Sequence, residues 1–341
     1  PRSASGRHRL TPISRSGGGR SMGSGISPRS RSRGTGPVGG GGGPGSSAAE
    51  QDNEQTSIDD YADETEITDR QGERIDERRQ RLDDVLDEEL EVEDSHQIGS
   101  HTRGTMVGPL DEESDTDVMV VLDEEEHGQW RRDENGAQNC LQAVKRSLER
   151  RYPNSDVSID RNVVAVKFHD FTVEVAPAFR SGDGYVIPDT YSEGRSWVQT
   201  NPRQYKNQFD AVDQARGGRL QKVARVAKKF NDNNGSPVSS YHMEVMAYHY
   251  VRTHPNKDAS TEELVEGFFE QLPRRISNGT REPVYDQRVD EHMGPDERRA
   301  AIETAREARK HVRRGSRLRR QGNADAADEA YSEAVGEEVD R

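Results

Sequence analysis

Between Gly99 and Asp123 the chain reads GSHTRGTMVGPLDEESDTDVMVVLD, a Gly-Ser turn followed by Asp115-x-Asp117 and then an apolar run. If a strand begins at Asp115, the two carboxylates leave one face about 6.5–7 Å apart at the backbone. That spacing lets both converge on a pair of divalent ions roughly 3.5–4 Å apart, which can clamp the attacking and leaving oxygens of a phosphoryl transfer. Without metal, neighbouring carboxylates repel and raise each other's pKa. A third acid from an adjacent strand is wanted to hold the ion that activates a hydroxyl nucleophile. Glu174 in FTVEVAPAF is the best candidate, being the lone acid in a strand otherwise made of apolar residues and Thr172. Asp170 has the same parity and is the reserve.

The elements that must position these acids follow from periodicity. Ile75, Leu82, Val85, Leu86 and Leu90 recur at three- and four-residue spacings, which predicts an amphipathic helix of some five turns ending just before the Gly-Ser turn. Val118 to Leu122 reads as a buried strand, and Ala137 to Tyr152 as a helix packed on it. Val157 to Ile159, Val163 to Phe168 and Phe171 to Phe179 read as neighbouring strands of one sheet. Ser181 to Pro188 reads as a Gly/Asp-rich loop. Beyond Asn201-Pro202 the strand signals stop, leaving helices at Tyr205 to Asn231, Ser239 to Arg252, Thr261 to Gln271, Pro295 to Gln321 and Ala324 to Val335. A sheet lobe followed by a helical lobe is an α+β arrangement with a natural cleft between the two.

Composition limits how much of the chain can fold. Only 29% of the 341 residues are hydrophobic, with a mean hydropathy of -1.08, so part of the chain is expected to be disordered. Residues 1–58 carry that expectation: a Gly/Ser/Arg-rich tail with no acid before Glu50, then an acidic linker. The catalytic lobe with its leading helix is expected over 59–200 and the helical lobe over 201–341. A net charge of -14 suits a salt-rich cytoplasm and gives no general reason to bind nucleic acid, though it says little about a local pocket. The single cysteine, Cys140, excludes a disulfide framework or a Cys-rich zinc site and points to a cytoplasmic setting. The longest apolar stretch is far too short to cross a bilayer.

GSHTRGT, SDTDVMVVLD and VEVAPAF together resemble the signature of the polymerase-β nucleotidyltransferase superfamily. More specifically, WVQTNPRQY, GGRLQKVARVAKKFND and PVSSYHMEVMAYHY resemble the cGAS-like nucleotidyltransferases (CD-NTases). The resemblance covers roughly residues 75 to 336 and implies a polymerase-β-type sheet lobe, a helical C-terminal lobe and an active-site cleft between them. It also implies Gly99 and Ser100 on a triphosphate, and Asp115, Asp117 and Glu174 on two Mg²⁺ ions, with Mn²⁺ as an alternative. Lys228 and Ser240 would hold donor phosphates, and Tyr241 would stack on a base. Each assignment is physically apt, since an ammonium suits a phosphate tail and an aromatic face accepts any base. Each also has an ordinary structural role open to it, with Lys228 and Lys229 closing a helix dipole and Ser239 or Ser240 serving as an N-cap.

Two departures from the family pattern stand out. Glu174 occupies a position where Asp is usual, moving the carboxylate by about 1.5 Å. The Cys/His zinc insertion of the animal DNA sensors is absent, which argues against double-stranded DNA sensing of that kind. His242 and His249, seven residues apart on an expected helix, are assigned to core or surface and not to metal.

The expected activity is the joining of nucleoside triphosphates into a cyclic or linear oligonucleotide second messenger, with release of pyrophosphate, in anti-phage signalling. Regulatory partner proteins and a downstream effector that reads the product belong to that expectation. One alternative is a template-independent enzyme acting on a tRNA or other RNA 3′ end, for which Arg306, Arg309, Lys310, Arg313, Arg314, Arg317, Arg319 and Arg320 would supply a basic surface. The other is a catalytically silent sensor of the same fold, with Glu174 as its mark.

Overall fold

A computed structural model of the protein describes residues 58–336, apart from 113, 191–195 and 292. Of the tail and linker expected over residues 1–58, residues 1–57 lie outside the described residues, and Ile58 already belongs to a helix. The chain opens with α1 (Ile58–Glu64) and α2 (Asp69–Leu90). Thr68 and Gln71 close a reciprocal capping box at the start of α2, satisfying backbone donors that the first turn would otherwise leave unpaired.

The long helix does not run into the Gly-Ser turn. It stops at Leu90, and Glu91 in the left-handed region (φ 44°) turns the chain into β1 (Val92–Gln97). VEDSHQ lacks apolar alternation because β1 is an edge strand, paired on one side only with the buried strand that follows. Next come α3 (Gly99–Thr102), β2 (Asp115–Leu122), the single turns α4 (Glu124–His127) and α5 (Gln129–Arg132), and α6 (Gly136–Arg151). They are followed by β3 (Asp156–Asp160), β4 (Val163–Lys167), β5 (Thr172–Ser181), β6 (Gly184–Pro188) and β7 (Trp197–Thr200).

The sheet runs β1-β2-β5-β4-β3, with β6 on the far half of β5 and β7 beside β6. Ser181 to Pro188 is thus a hairpin rather than a loop: Gly182 (φ 62°) turns the chain and Gly184 to Pro188 pairs back on β5. Only β2 and β5 run parallel, in a register that sets Asp117 beside Glu174. Strand alternation then sorts the side chains. Val118, Val120, Leu122, Val173 and Val175 face a core shared with α2 and α6, whereas Asp115, Asp117 and Glu174 share the other face with Met119, Val121 and Ala178.

After β7 the structure is helical: α7 (Pro202–Ala215), α8 (Arg219–Asn233), α9 (Ser240–Thr253), α10 (Thr261–Asn278), α11 (Pro295–Arg320) and α12 (Ala324–Val335). The single helix expected over Tyr205 to Asn231 is two, because Gly217 and Gly218 both adopt positive φ (62° and 84°) and break it. α10 continues beyond Gln271, through Pro273, to Asn278. These helices build a second core around Phe209, Phe230, Phe268 and Phe269, and Ile58 and Ala62 of α1 join that core rather than the one under the sheet. Among the described residues no helix is long and apolar enough to cross a membrane.

Candidate active site

The carboxylate face of the sheet opens on two adjoining cavities of about 470 and 530 Å³. Ser100, Asp115, Lys228 and Ser240 line both and form the partition between them. The first cavity is polar, with Ser114, Lys229, Asp232 and Asn233 on its wall. The second holds Asp117, Glu174 and Arg103 on one side and Tyr205 and Tyr241 on another. Tyr241, at 40% exposure, is the one large hydrophobic side chain left open among the described residues, and its ring meets Tyr205 edge-on at 5.8 Å. All the sequence-derived site residues, Gly99, Ser100, Asp115, Asp117, Glu174, Lys228, Ser240 and Tyr241, therefore border this double cleft.

Gly99 is required by shape. Its φ of 75° is left-handed, and a Cβ there would overlap the Asp117 carboxylate. Asp117 is anchored through its main chain, whose carbonyl accepts from Ile98 N and from Gln97 Nε2, both at 3.0 Å.

The three acids are electrostatically unsettled. Burial pushes Asp115 up, with Lys228 partly offsetting it. Burial and the nearby Asp115 raise Asp117 to about 7 against the pull of Arg103 and Lys228. Burial followed by repulsion from Asp117 and Asp115 raises Glu174 to about 8. Raised carboxylates crowded in a cleft mark a place where positive charge would be stabilising. Asp170, the reserve third acid, is elsewhere: Arg78 donates to both its oxygens (3.0 and 3.1 Å) while lying 3.9 Å over Phe168. It lines neither cavity.

The donor-side residues are placed differently from a simple reading of their types. Ser239 is the N-cap of α9, accepting from His242 N, so Ser240 on the next position is left to line the cleft. Lys228 is almost wholly buried, donating to Glu244 (2.8 Å) and to the Thr105 carbonyl (3.2 Å). Glu244 also accepts from Arg103 Nε at 2.7 Å and from the Thr105 hydroxyl. Burial alone would raise Glu244, but Arg103 and Lys228 together hold it down at about 2.

One face of α8 fixes the loop that carries Arg103 and Thr105. Gln221, Arg225 and Lys228 lie four and three residues apart and donate in order to the carbonyls of Arg103 (3.0 Å), Gly104 (2.8 Å) and Thr105 (3.2 Å). Gly104 (φ 65°) lets the loop approach, since a Cβ there would meet Gln221 Nε2 at 2.8 Å.

Arg103, Thr105 and Glu244 are not among the site residues expected from the sequence, although all three stand in GSHTRGT and PVSSYHMEVMAYHY. Glu244 carried a readable signal, being the lone acid in the apolar run Met243 to Ala247. His242 Nε2 bonds Thr280 Oγ1 (2.9 Å) and His249 Nε2 bonds the Arg281 carbonyl (2.8 Å), so both steady the loop after α10. Much of the basic run on α11 is paired: Arg306 with Glu303, Lys310 with Glu307, Arg313 with Glu270, Arg314 with Glu333 and Arg319 with Asp328.

Residues 54–212 match the family described as SMODS: Second Messenger Oligonucleotide or Dinucleotide Synthetase domain. No curated protein sequence matches the chain. Solved structures do. CdnC of E. coli MS115-1, determined with ATP, is similar at a TM-score of 0.64 and 17% identity, over 83% of this chain and 97% of that one. It has also been determined in complex with HORMA-deltaN, at a TM-score of 0.62. The CD-NTase CdnG of Bradyrhizobium diazoefficiens with GTP gives 0.62 and 12% identity, over 82% and 97% of the two chains. Vibrio cholerae DncV, a cyclic AMP-GMP synthase caught with the linear intermediate pppA(3′,5′)pG, gives 0.58 and 15%, over 73% and 69%. Residues 54–212 are thus similar to the SMODS domain, and the chain has the fold of the solved CD-NTases.

Proposed function

We propose that the protein is a metal-dependent nucleotidyltransferase that joins nucleoside triphosphates into a cyclic or linear oligonucleotide second messenger, releasing pyrophosphate, as part of anti-phage signalling. The observation that carries this reading is the parallel register of β2 and β5, which puts Asp117 beside Glu174 on a face shared with Asp115, inside a two-chambered cleft. CdnC with ATP, CdnG with GTP and DncV with pppA(3′,5′)pG support nucleoside triphosphates as substrates, and the CdnC–HORMA-deltaN complex supports a regulatory protein partner.

Among the described residues, no three Asp, Glu, His or Cys side chains are already gathered as a metal cage. The donor set nonetheless fits hard divalent cations. It is all carboxylate oxygen, and burial together with mutual repulsion lifts two of its members to about 7 and 8. Asp115 and Asp117 would hold one Mg²⁺ or Mn²⁺ ion, and the same two with Glu174 a second. When bound, such ions lower the pKa of an attacking hydroxyl and neutralise charge building on the phosphates.

The chain's own residues supply position. Ser100, Lys228 and Ser240 at the partition would hold the donor's phosphate tail, with the polar first cavity taking its distal end. Tyr241 would carry a base on its open face. The acceptor's ribose hydroxyl would lie toward Glu174 and attack the α-phosphorus in line. The new phosphorus–oxygen bond forms as the bond from the α-phosphorus to the α,β-bridging oxygen breaks; the hydroxyl's proton passes to solvent, and pyrophosphate leaves with the electron pair of the broken bond. Little covalent chemistry is asked of the protein beyond this placement.

The test is incubation of the purified protein with ATP, GTP, CTP and UTP plus Mg²⁺ or Mn²⁺, at low and high salt, reading pyrophosphate and oligonucleotide product. Asp117→Asn should abolish both. Product formed by Asp117→Asn at the wild-type rate would remove the site assignment. Much of the basic run on α11 is already ion-paired and so lends little support to a separate RNA-end reading.

A further inference from the structure

Glu244 is buried completely, yet it sits beside a cleft whose own carboxylates lack compensation. Burying a carboxylate with two cations is costly, and well-packed apolar side chains of similar volume commonly do the same structural work. Val245, Met246 and Ala247 on the same helix show that apolar side chains are available for that purpose. The charged cluster therefore calls for a reason other than packing.

The geometry supplies one. Glu244 uses one oxygen for Arg103 Nε (2.7 Å) and the other for Lys228 Nζ (2.8 Å) and the Thr105 hydroxyl. Arg103 belongs to the loop after α3, directly beyond the Gly-Ser pair, while Lys228 belongs to α8. Among the described residues Glu244 is the only hydrogen-bond acceptor of the Arg103 side chain, whose guanidinium carbon lies 4.9 Å from the Tyr205 ring centroid. Arg103 lines the second cavity and Lys228 lines both. Within this cluster two cations share one anion, and both cations, from two different elements, border the second cavity.

We propose that Glu244 is a positioning residue for nucleotidyl transfer: it holds Arg103 and Lys228 side by side at the cleft wall, where both meet the incoming triphosphate. This rests on the nucleotidyltransferase reading above. Arg103 becomes a second phosphate-binding cation, oriented by its occupied Nε so that its remaining donors face the nucleotide. The carboxylate also keeps the two cations from repelling each other apart in the absence of nucleotide, so the positive wall is formed before substrate arrives.

The experiment compares wild type, Glu244→Gln, Glu244→Asp and Arg103→Gln, with Asp170→Asn as a control that breaks an ion pair outside the cleft. Two quantities are read on folded protein: the Kd for ATP in EDTA by calorimetry, and KM against kcat with the triphosphate mixture and Mg²⁺. Losing a charge-assisted contact predicts a Kd and KM at least about tenfold higher for Glu244→Gln and Arg103→Gln. Glu244→Asp should recover part of the loss, and Asp170→Asn should leave both constants unchanged. If Glu244→Gln does not fold, Arg103→Gln, which retains the Lys228 pair, decides. A lowered Tm with Kd and KM within twofold of wild type would overturn the positioning role. Wild type that binds ATP but makes no product would instead overturn the second-messenger reading, while the Kd comparison still decides the role of Glu244. Wild type that does not bind ATP would overturn both.

Discussion

The half-buried carboxylates of the sheet and the fully buried Glu244 of α9 stand in opposite electrostatic states. On the sheet, Asp117 and Glu174 are raised to about 7 and 8 because burial and mutual repulsion outweigh the cations around them. On α9, Glu244 is held at about 2 because two cations and a hydroxyl grip it from different sides. The same functional group is unfinished in the first place and complete in the second. A complete ion cluster fixes the cations it holds, whereas an unfinished one is a site that gains stability by acquiring a cation.

The comparison can be broken first at the sheet. Replacing Asp115 or Asp117 by Asn should lower product formation at least ~10²-fold, because charge stabilisation of the transferring phosphoryl group is lost. Thermal stability should hold or rise, since repulsion is relieved. A fall in stability matching the fall in activity would mean that the sheet acids hold the fold together and are not a cation site. At α9 the opposite is expected. Glu244→Ala should cost about 3–5 kcal/mol by leaving Arg103 and Lys228 buried and unpaired, measured by denaturant unfolding.

Stability against pH sharpens the contrast. Folded-state values of about 7 and 8 lie above the ordinary 3.8 and 4.5 of Asp117 and Glu174, so the folded state binds more protons than the unfolded one across that window. Their stabilising contribution is full below about pH 4 and is lost as pH rises toward 8. Metal-free protein should therefore lose Tm from pH 6 to 8, Mg²⁺ should restore more Tm at pH 8 than at pH 6, and Asp117→Asn should flatten both trends. Glu244 works the other way, its contribution disappearing only as pH falls from about 4.5 toward 2. The smallest effect is expected outside the cleft. Asp170→Asn removes a half-buried pair with Arg78 and should cost roughly 1 kcal/mol with product formation unchanged.

Much of the sheet site could be read from local pattern. Asp115 and Asp117 precede an apolar strand, so parity puts both on one face, and Glu174 stands out as an acid alone in another strand; that it shares their face follows from the β2–β5 register, which the sequence does not show. The choice of Glu174 over Asp170 needed the fold, because only the three-dimensional structure shows Arg78 reaching across to Asp170. β1 was hidden because an edge strand with one partner needs no apolar alternation. The break between α7 and α8 was hidden because periodicity continues across Gly217-Gly218, and only the positive φ values show the turn. Glu244 was passed over for a different reason. Its partners come from residues 103, 105 and 228, and pairings over such sequence distances leave no periodic trace.

Asp115, Asp117 and Glu174 are proposed to form a cation-binding centre for joining nucleotides. The most direct measurement is mass spectrometry of products from the four triphosphates with Mg²⁺ or Mn²⁺, comparing wild type with Glu174→Gln and Asp170→Asn. The account predicts a phosphodiester-linked oligonucleotide and pyrophosphate from wild type and Asp170→Asn, and neither from Glu174→Gln. An undiminished product from Glu174→Gln, or none from wild type under any of these conditions, would contradict it.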